Sequence, residues 1–324
     1  MAKQRGAALI IVLFVVALAA SLAVKMNARL MVEVKRSSNL VLQQQARWYA
    51  MSGEALATRV LIESQKESPD ITSLSQKWAL EETTFPVEDG TISGEIRDLQ
   101  SCLNLNALRF EDPNNTSQRF NDAHKTLEAL LKAIPELPLE ESEETLADSV
   151  YDWLDADSIP KRQGVEEGEY MSYDVPYMTA NHFFASVSEL RLIHGFNPLV
   201  VKKLEPYVCV LPQNDTFKLN VNTIESEQSL LLAAMLDISE SEAQNIISKR
   251  PDDGWDQVGK FIAEAKQSGA KIDDKDQRFV IKSEYFEVTS KASFFETKFA
   301  MQSLLHISDK QKVSVLARRF GGVQ

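Results

Sequence analysis

The feature that most constrains this chain is an apolar run near its start, residues 7–24. All 18 residues are apolar or small, and none is charged. As an α-helix the run would be about 27 Å long, close to the ~30 Å thickness of a bilayer core. Lys3 and Arg5 precede it, so the positive-inside rule predicts an amino terminus in the cytoplasm. The pattern therefore predicts one membrane-spanning helix, with the rest of the chain on the far side.

Two kinds of processing are compatible with this run. A conventional secretion signal ends in a small-residue cleavage site, and LAASLA, residues 18–23, could serve as one. The other possibility is a cut between Gly6 and Ala7, because the basic leader has only six residues and the apolar run begins directly after it. That cut would remove residues 1–6 and keep the helix, and the short leader favours it.

The helix is predicted to continue well beyond the membrane. Residues 25–64 contain no proline, and apolar side chains recur there at helical spacing. Gly53 is the one weak point, at a cost of about 1 kcal/mol relative to alanine. We therefore expect a single stalk helix over residues 7–64. A hydrophobic stalk on a soluble head is typical of a filament subunit.

Composition narrows the possible functions. The chain has 324 residues, 44% of them hydrophobic, which is enough for one to three folded domains. Its formal net charge of −12 disfavours a nucleic-acid partner. The sequence has no HExxH zinc motif, P-loop, dinucleotide fingerprint or GxSxG nucleophile motif. We therefore expect a protein that is not an enzyme.

The remaining sequence predicts an α+β fold with a split sheet. Residues 87–99 and 284–320 have strand-like patterns, and we expect them to form one small antiparallel sheet on the stalk helix. The segments between them are mostly helical and form a large insertion. The predicted parts are a leader (1–6), the stalk (7–64), a head split between 65–106 and 276–324, and two inserted helical modules (107–217 and 218–275).

A short internal repeat marks the start of each module. CLNLNAL, residues 102–108, is similar to KLNVNTI, residues 218–224. Each N-x-N is predicted to end a strand and to cap the next helix through side-chain oxygens.

The two cysteines, Cys102 and Cys209, lie near the seams of the insertion. The predicted topology places the head on the far side of the membrane, where thiols oxidise. A disulfide would close a loop of about 107 residues and contribute a nominal 4–5 kcal/mol or so. Two buried free thiols are the alternative.

The strongest local pattern is an acidic loop, DWLDADSIPKRQGVEEGEY, residues 152–170. Its carboxylates, Asp155, Asp157, Glu166 and Glu167, repel one another unless they are solvated or bridged by a hard cation. Calcium takes six to eight oxygen ligands and tolerates irregular loops, although this is not an EF-hand. The sequence leaves a calcium site and a solvated acidic loop open. A catalytic pair is disfavoured because no second chemical group accompanies the carboxylates.

Five features follow one another along the chain in the order typical of one family. They are the leader, LNLNAL, the acidic loop, SELRLI and LNVNT. In this combination the chain resembles the K-type minor pseudopilin of type II secretion systems over nearly its whole length. Most related subunits carry glutamate at the fifth mature position. Ile11 stands there in this chain, and the absence of the glutamate matches the K-type subclass.

The resemblance implies a pilin-like fold, a role and a set of partners. The prepilin peptidase would cut between Gly6 and Ala7 and methylate Ala7, and the head would lie in the periplasm, anchored in the bacterial inner membrane. The subunit would cap a pseudopilus with the I- and J-type minor pseudopilins, on the inner-membrane assembly platform. It would bind calcium in the head, for which Asp155, Asp157, Glu166 and Glu167 are the candidate ligands.

A different function is the runner-up. Residues 189–204 and 219–262 are similar to the helix-hairpin-helix folds of periplasmic, membrane-anchored DNA-uptake receptors. Residues 185–275, however, contain 10 basic and 14 acidic side chains, so counterion release from DNA has little to drive it. The second hairpin carries Asp237 where a phosphate-binding turn requires glycine. We therefore expect no nucleic-acid partner.

Overall fold

The amino-terminal part of the chain is one long helix, α1 (Arg5–Glu67), of 63 residues. The computed structural model describes residues 5–80, 82–109, 120–308 and 312–321. At 1.5 Å per residue α1 is about 95 Å long. Residues 7–41 are exposed all round, whereas Ala46, Ala50 and Leu61 are buried. The predicted long helix is confirmed, and residues 1–4 of the predicted leader lie outside the described residues.

Strands form one large sheet and two small pairs. The described ranges contain β1 (Thr83–Val87), β2 (Gly90–Asp98), β3 (Leu103–Asn104), β4 (Val208–Cys209), β5 (Leu219–Asn220), β6 (Phe279–Val280), β7 (Tyr285–Phe294), β8 (Thr297–Ile307) and β9 (Val313–Phe320). The large sheet is antiparallel, in the order β1-β2-β7-β8-β9. The predicted split sheet is confirmed. The first strand pair differs from the predicted range of 87–99. Glu88 and Asp89 form the turn between the two strands, so β1 lies before the turn and starts at residue 83.

Alternate residues of β7 attach the sheet to α1. Val288, Ser290 and Ala292 are buried toward the helix, while the residues between them are partly exposed. Gly53 lies at the closest approach. A Cβ at this position would lie 3.1 Å from Cγ2 of Ile92 and would collide with the Ser290 hydroxyl. The residue that weakens the isolated helix therefore allows the sheet to approach it.

An ion pair between the buried Glu54 and the exposed Arg318 also fixes α1 to the β8–β9 side of the sheet. Glu54 is 7% exposed and accepts hydrogen bonds from Arg318 Nε at 2.7 Å and Nη2 at 2.8 Å. The Ser303 hydroxyl donates to the same carboxylate. Burial alone would raise the pKa of Glu54, but these hydrogen bonds hold it below its ordinary value. The pair joins the stalk to β8 and β9.

The helices of the insertion surround their own core. They are α2 (Asp122–Ala133), α3 (Glu143–Leu154), α4 (Glu167–Tyr170), α5 (Pro198–Leu204), α6 (Ser229–Leu236), α7 (Glu240–Ser248) and α8 (Val258–Gln267). Leu127, Leu146, Leu231 and Phe261 are all fully buried in one continuous cluster. This cluster spans both predicted modules and is separate from the apolar contact between α1 and the sheet.

The two N-x-N motifs make the same unusual clamp. Each ends a two-residue strand, β3 or β5, that pairs in parallel with β4 or β6. The side-chain amide of Asn106 then donates to the Phe184 carbonyl oxygen and accepts from the Phe184 N–H. Asn222 does the same with Trp255. The motifs therefore end strands as predicted. The first Asn of the first motif also accepts the Asn106 N–H at the start of a short 3-10 helix, Leu105–Arg109, while the second Asn of each motif holds a distant backbone segment.

A buried carboxylate marks the point where the chain leaves the sheet. Asp98, the last residue of β2, accepts hydrogen bonds from the hydroxyls of Thr223 and Ser283. Asn220 donates to Thr72, which follows the stalk helix, and to the Ser283 hydroxyl. Burial raises the pKa of Asp98, and the hydrogen bonds from its neighbours oppose the shift. Stalk, sheet and insertion meet at this network.

The Glu54 contact gives a stability prediction. We expect E54Q to lower the free energy of unfolding by about 1.5–3 kcal/mol, the range for hydrogen bonds to charged groups. The lowered pKa of Glu54 means that this stabilisation is present above its ordinary pKa of 4.5 and is lost as the pH falls below it. E54Q should remove that part of the acid sensitivity. Urea denaturation of the detergent-solubilised chain at several pH values measures both effects.

The matched control is E63Q on the same helix. Glu63 pairs with Arg59 at an exposed position, where an ion pair is worth about 0–1 kcal/mol. Equal losses of unfolding free energy in E54Q and E63Q would contradict the stabilising role assigned to the Glu54–Arg318 pair.

Candidate metal centre

Helix α3 delivers the first half of an acidic cluster. Ser142 caps its amino end, and Asp155 is its carboxyl-terminal cap. Asp148 and Asp152 lie one turn apart on the same face of α3, which is turned toward the loop of residues 155–166. The carboxyl end of a helix carries partial negative charge, so carboxylates there are unfavourable unless a cation balances them.

Three carboxylates converge beyond this helix end. Asp155, Asp157 and Glu166 each have an oxygen within 4.8 Å of the others. Asp155 and Glu166 are both 5% exposed, and among the described residues no donor makes a well-formed hydrogen bond to their carboxylate oxygens. The N–H groups of Asp157 and Glu167 lie close enough only to oppose the rise in pKa. The nearest cation, Lys161, has its Nζ 3.6 Å from Oδ2 of Asp155, beyond hydrogen-bonding distance. These buried oxygens lack the partners that buried carboxylates require.

The electrostatics of the cluster follow from burial and like charge. Burial, reinforced by the Asp157 charge, raises the pKa of Asp155 to about 6. Burial, reinforced by both aspartates, raises the pKa of Glu166 to about 7. Asp157 is exposed, and hydrogen bonds from the Ile159 N–H and from Lys161 lower its pKa. A positive charge between its members would therefore stabilise the ionised cluster, beyond the contribution of Lys161.

Two neighbouring aspartates were not among the predicted ligands. Asp148 is fully buried and is already engaged by His124, by Arg162 and by the Gln163 N–H. Asp152 accepts the Lys161 N–H, and burial raises its pKa to about 8. Their spacing of four residues on a predicted helix was the signal that could have identified them.

Glu167 occupies a different place from the other predicted ligands. It is the first residue of α4 and does not belong to the cluster of three. Gly164 brings the loop against α3, because a Cβ there would lie 2.9 Å from the Asp148 carbonyl oxygen and would collide with Asp152. The donor set is thus two buried carboxylates and one exposed carboxylate, all oxygen, which suits a hard cation.

The comparisons with known proteins cover almost the whole chain. Two models for protein K of the type II secretion system match residues 101–213 and 219–282. The type II secretion system protein K of Aeromonas hydrophila is 35% identical over 330 residues, covering 99% of this chain and 98% of the relative. The chain belongs to the type II secretion system protein K family. Protein K of Pectobacterium carotovorum is 32% identical, with 99% and 97% covered.

A solved structure supports the same family. A chain in the crystal structure of the GspK–GspI–GspJ complex of the enterotoxigenic Escherichia coli type 2 secretion system superposes with a TM-score of 0.78. It is 30% identical, and the match covers 89% of this chain and 99% of that chain. The resemblance to the K-type pseudopilin and the α+β fold are therefore confirmed. Membership makes this a structural pseudopilin and not an enzyme.

The predicted cleavage site, the cysteines and the second hairpin turn lie away from the acidic cluster of this protein K family member. Gly6 and Ala7 lie in the first turns of α1, the one described helix that is long and apolar enough to cross a membrane. Cys102 and Cys209 are joined in a disulfide, with Cα atoms 5.8 Å apart, beside the β3–β4 pair. Asp237, at the turn between α6 and α7, has a left-handed backbone with φ of 54°. A carboxylate at that turn opposes the binding of a DNA phosphate.

The unpartnered carboxylates predict a gain in stability when one is neutralised. With a chelator present, we expect E166Q to raise the Tm by a few degrees. The glutamine is still a buried polar group, but it carries no charge, so the cost of burying a carboxylate beside Asp155 and Asp157 is removed. A gain of 1 kcal/mol shifts Tm by about 2–4 °C for 150–250 residues. The raised pKa of Glu166 means that the wild type is most stable below the ordinary value of 4.5 and loses stability as the pH rises toward about 7.

The difference in Tm between E166Q and wild type should therefore grow from about pH 5 to about pH 8. E167Q is the matched control, because it removes the next carboxylate along the chain, which lies outside the cluster. A pH-independent difference, or the same profile in E167Q, would show that the cluster is not strained by its own charge.

Proposed function

We propose that this chain caps the tip of a type II secretion pseudopilus and helps to initiate its assembly for the export of folded proteins across the outer membrane. The observation that carries the proposal is the large insertion, residues 99–284, on a head built from a stalk helix and a sheet. Bodies of this size on successive subunits would clash along a thin filament. A subunit at the tip has no such neighbour ahead of it.

The amino-terminal sequence supports the same position. Ile11 is the fifth residue after the proposed cut, where most related subunits carry a glutamate. That glutamate is the charge partner for the amino terminus of the subunit ahead. A tip subunit has no subunit ahead and does not need it.

The exposed face of α1 supports a stalk that anchors first and packs later. Residues 7–24 would cross the bacterial inner membrane once, with the amino terminus in the cytoplasm and the head in the periplasm. Beyond the membrane, Leu30, Val34 and Val41 remain exposed by 57%, 66% and 62%. Apolar side chains at helical spacing are suited to packing against neighbouring stalks.

The proposed partners are the I- and J-type minor pseudopilins, on the inner-membrane assembly platform. The support is the similar solved chain, which comes from a GspK–GspI–GspJ complex. Labelling the head with gold on assembled filaments tests the tip position. We expect label at one end only, and fewer filaments in cells that lack the protein. Label distributed along the filaments would contradict a cap.

The amino terminus gives a second test. We expect the prepilin peptidase to cut between Gly6 and Ala7, so mass spectrometry of the membrane-extracted protein should find a chain that starts with N-methylated Ala7. G6L should retain the leader. A mature end within residues 21–24 would instead indicate a conventional secretion signal.

For the acidic cluster we propose calcium as the bound cation. Three carboxylate ligands, with water and carbonyl oxygens completing the shell, match its preference for oxygen. The cation would neutralise the cluster at the carboxyl end of α3 and tie the loop of residues 155–166 to the helix. It would supply structural stability and no chemistry.

A calcium titration tests the cluster. At a calcium concentration about 100-fold above Kd, binding should stabilise the chain by about 2.7 kcal/mol, and 1 kcal/mol corresponds to about 2–4 °C in Tm. D155N and E166Q should lose most of this increase, while E167Q should keep it. An unchanged Tm in the wild type would remove the calcium proposal without affecting the filament role.

We also propose that the Cys102–Cys209 disulfide forms in the periplasm, an oxidising compartment. It would hold the start of the first module to β4. Its support is the position of both cysteines in one small buried cluster with Leu99 and Leu211.

A further inference from the structure

A groove of about 640 Å³ separates the outer face of the sheet from the first inserted module. Arg97, Glu287 and Arg319 line it on the sheet side, and Arg191 and Lys202 line it on the side of the module. Its volume is in the range of ligand-binding clefts. None of these residues belongs to the acidic cluster or to the contact between α1 and the sheet.

The groove is basic although the chain is acidic. The chain carries a net charge of −12. Arg191 and Lys202 are exposed and form no salt bridge within the described ranges. Burial raises the pKa of Glu287, and the charges of Arg97 and Arg319 oppose that shift. The charged side chains that line the groove are the cations Arg97, Arg191, Lys202 and Arg319 and the carboxylates Glu205 and Glu287.

The groove also runs beside an open sheet edge. Among the described residues β9 pairs with β8 alone, and Ala317, Arg319 and Gly321 line the groove. The opposite edge strand, β1, has five residues and contains Pro86, a common protection against strand addition. β9 has eight residues and no proline. Of the two edges, β9 is the one that can accept another strand.

We propose that the groove and the β9 edge together receive an extended, acidic segment of a partner protein. The backbone of the segment would add to β9, and alternate side chains would then point into the groove, where carboxylates meet Arg191 and Lys202. Charge complementarity of this kind selects partners and speeds association. The proposal goes beyond the tip role, which needs neither the groove nor the edge.

A synthetic peptide tests the chemistry directly. The probe is a fluorescent, end-capped octapeptide that alternates glutamate and threonine, titrated onto the full chain in detergent and followed by anisotropy. We expect saturable binding with a Kd below about 1 mM that weakens as salt is added. The lysine–threonine peptide should not bind. Equal binding of that peptide, or tighter binding of a short DNA duplex, would overturn the proposal.

Variants locate the binding site. R191E/K202E should weaken binding at least about tenfold, because two attractive contacts become repulsive. K271E/K298E is the control, with the same change in net charge at exposed positions outside the groove. Its Kd should stay within about twofold of wild type. If R191E/K202E fails to fold, R191Q/K202Q takes its place, with an expected loss of about threefold. Equal Kd values for groove and control variants would overturn the proposal.

Modified peptides test the strand addition. Two versions of the probe carry N-methyl groups on alternate residues, which removes the backbone donors on one side or the other. One version should lose binding and the other should keep it, since an added strand uses donors on a single side. Unchanged binding of both would overturn the pairing with β9.

Discussion

The arrangement of the three parts of this molecule depends on the burial of one carboxylate, Asp98. A buried carboxylate is strongly unfavourable unless hydrogen bonds satisfy its oxygens. Its donors come from the second module, at Thr223, and from the segment that leads back to the sheet, at Ser283. Asn220 extends the network to Thr72, just after the stalk helix. Asp98 can therefore be buried only when insertion, sheet and stalk segment lie together, which couples their positions.

The acidic cluster follows the opposite logic, because the carboxylate oxygens of Asp155 and Glu166 are buried without hydrogen-bond donors. Asp155 and Glu166 lie at the negative end of α3, where the helix dipole adds to their mutual repulsion. Lys161 pairs with Asp155 and Asp157, and a cation among the carboxylates would stabilise the ionised loop of residues 155–166 further. Asp98 has its donors within the protein, whereas the buried oxygens of the cluster would gain theirs from a bound ion.

Sequence patterns predicted the features that local chemistry determines. The long helix and the strands β7 and β8 follow from apolar spacing, and the cluster of Asp155, Asp157 and Glu166 follows from carboxylates around a loop. Glu167, the fourth predicted ligand, is the first residue of α4 and does not belong to the group of three. The Asn clamps were not predictable, since their backbone partners lie 78 and 33 residues away along the chain. Strand β1 was partly missed because its residues are almost all exposed and do not alternate.

The position of the insertion explains how a small sheet can carry so large a body. The chain leaves the sheet at Asp98 and rejoins it beside Phe286, and these two residues are direct partners in the β2–β7 ladder. The insertion therefore replaces a hairpin loop and leaves the register of the sheet and its contact with α1 intact. Loop-closure entropy rises only slowly with length, so the long excursion is tolerated when the inserted chain folds around its own core. A subunit of this kind can keep the contact between its stalk and its sheet while its head gains a body that folds around a separate core.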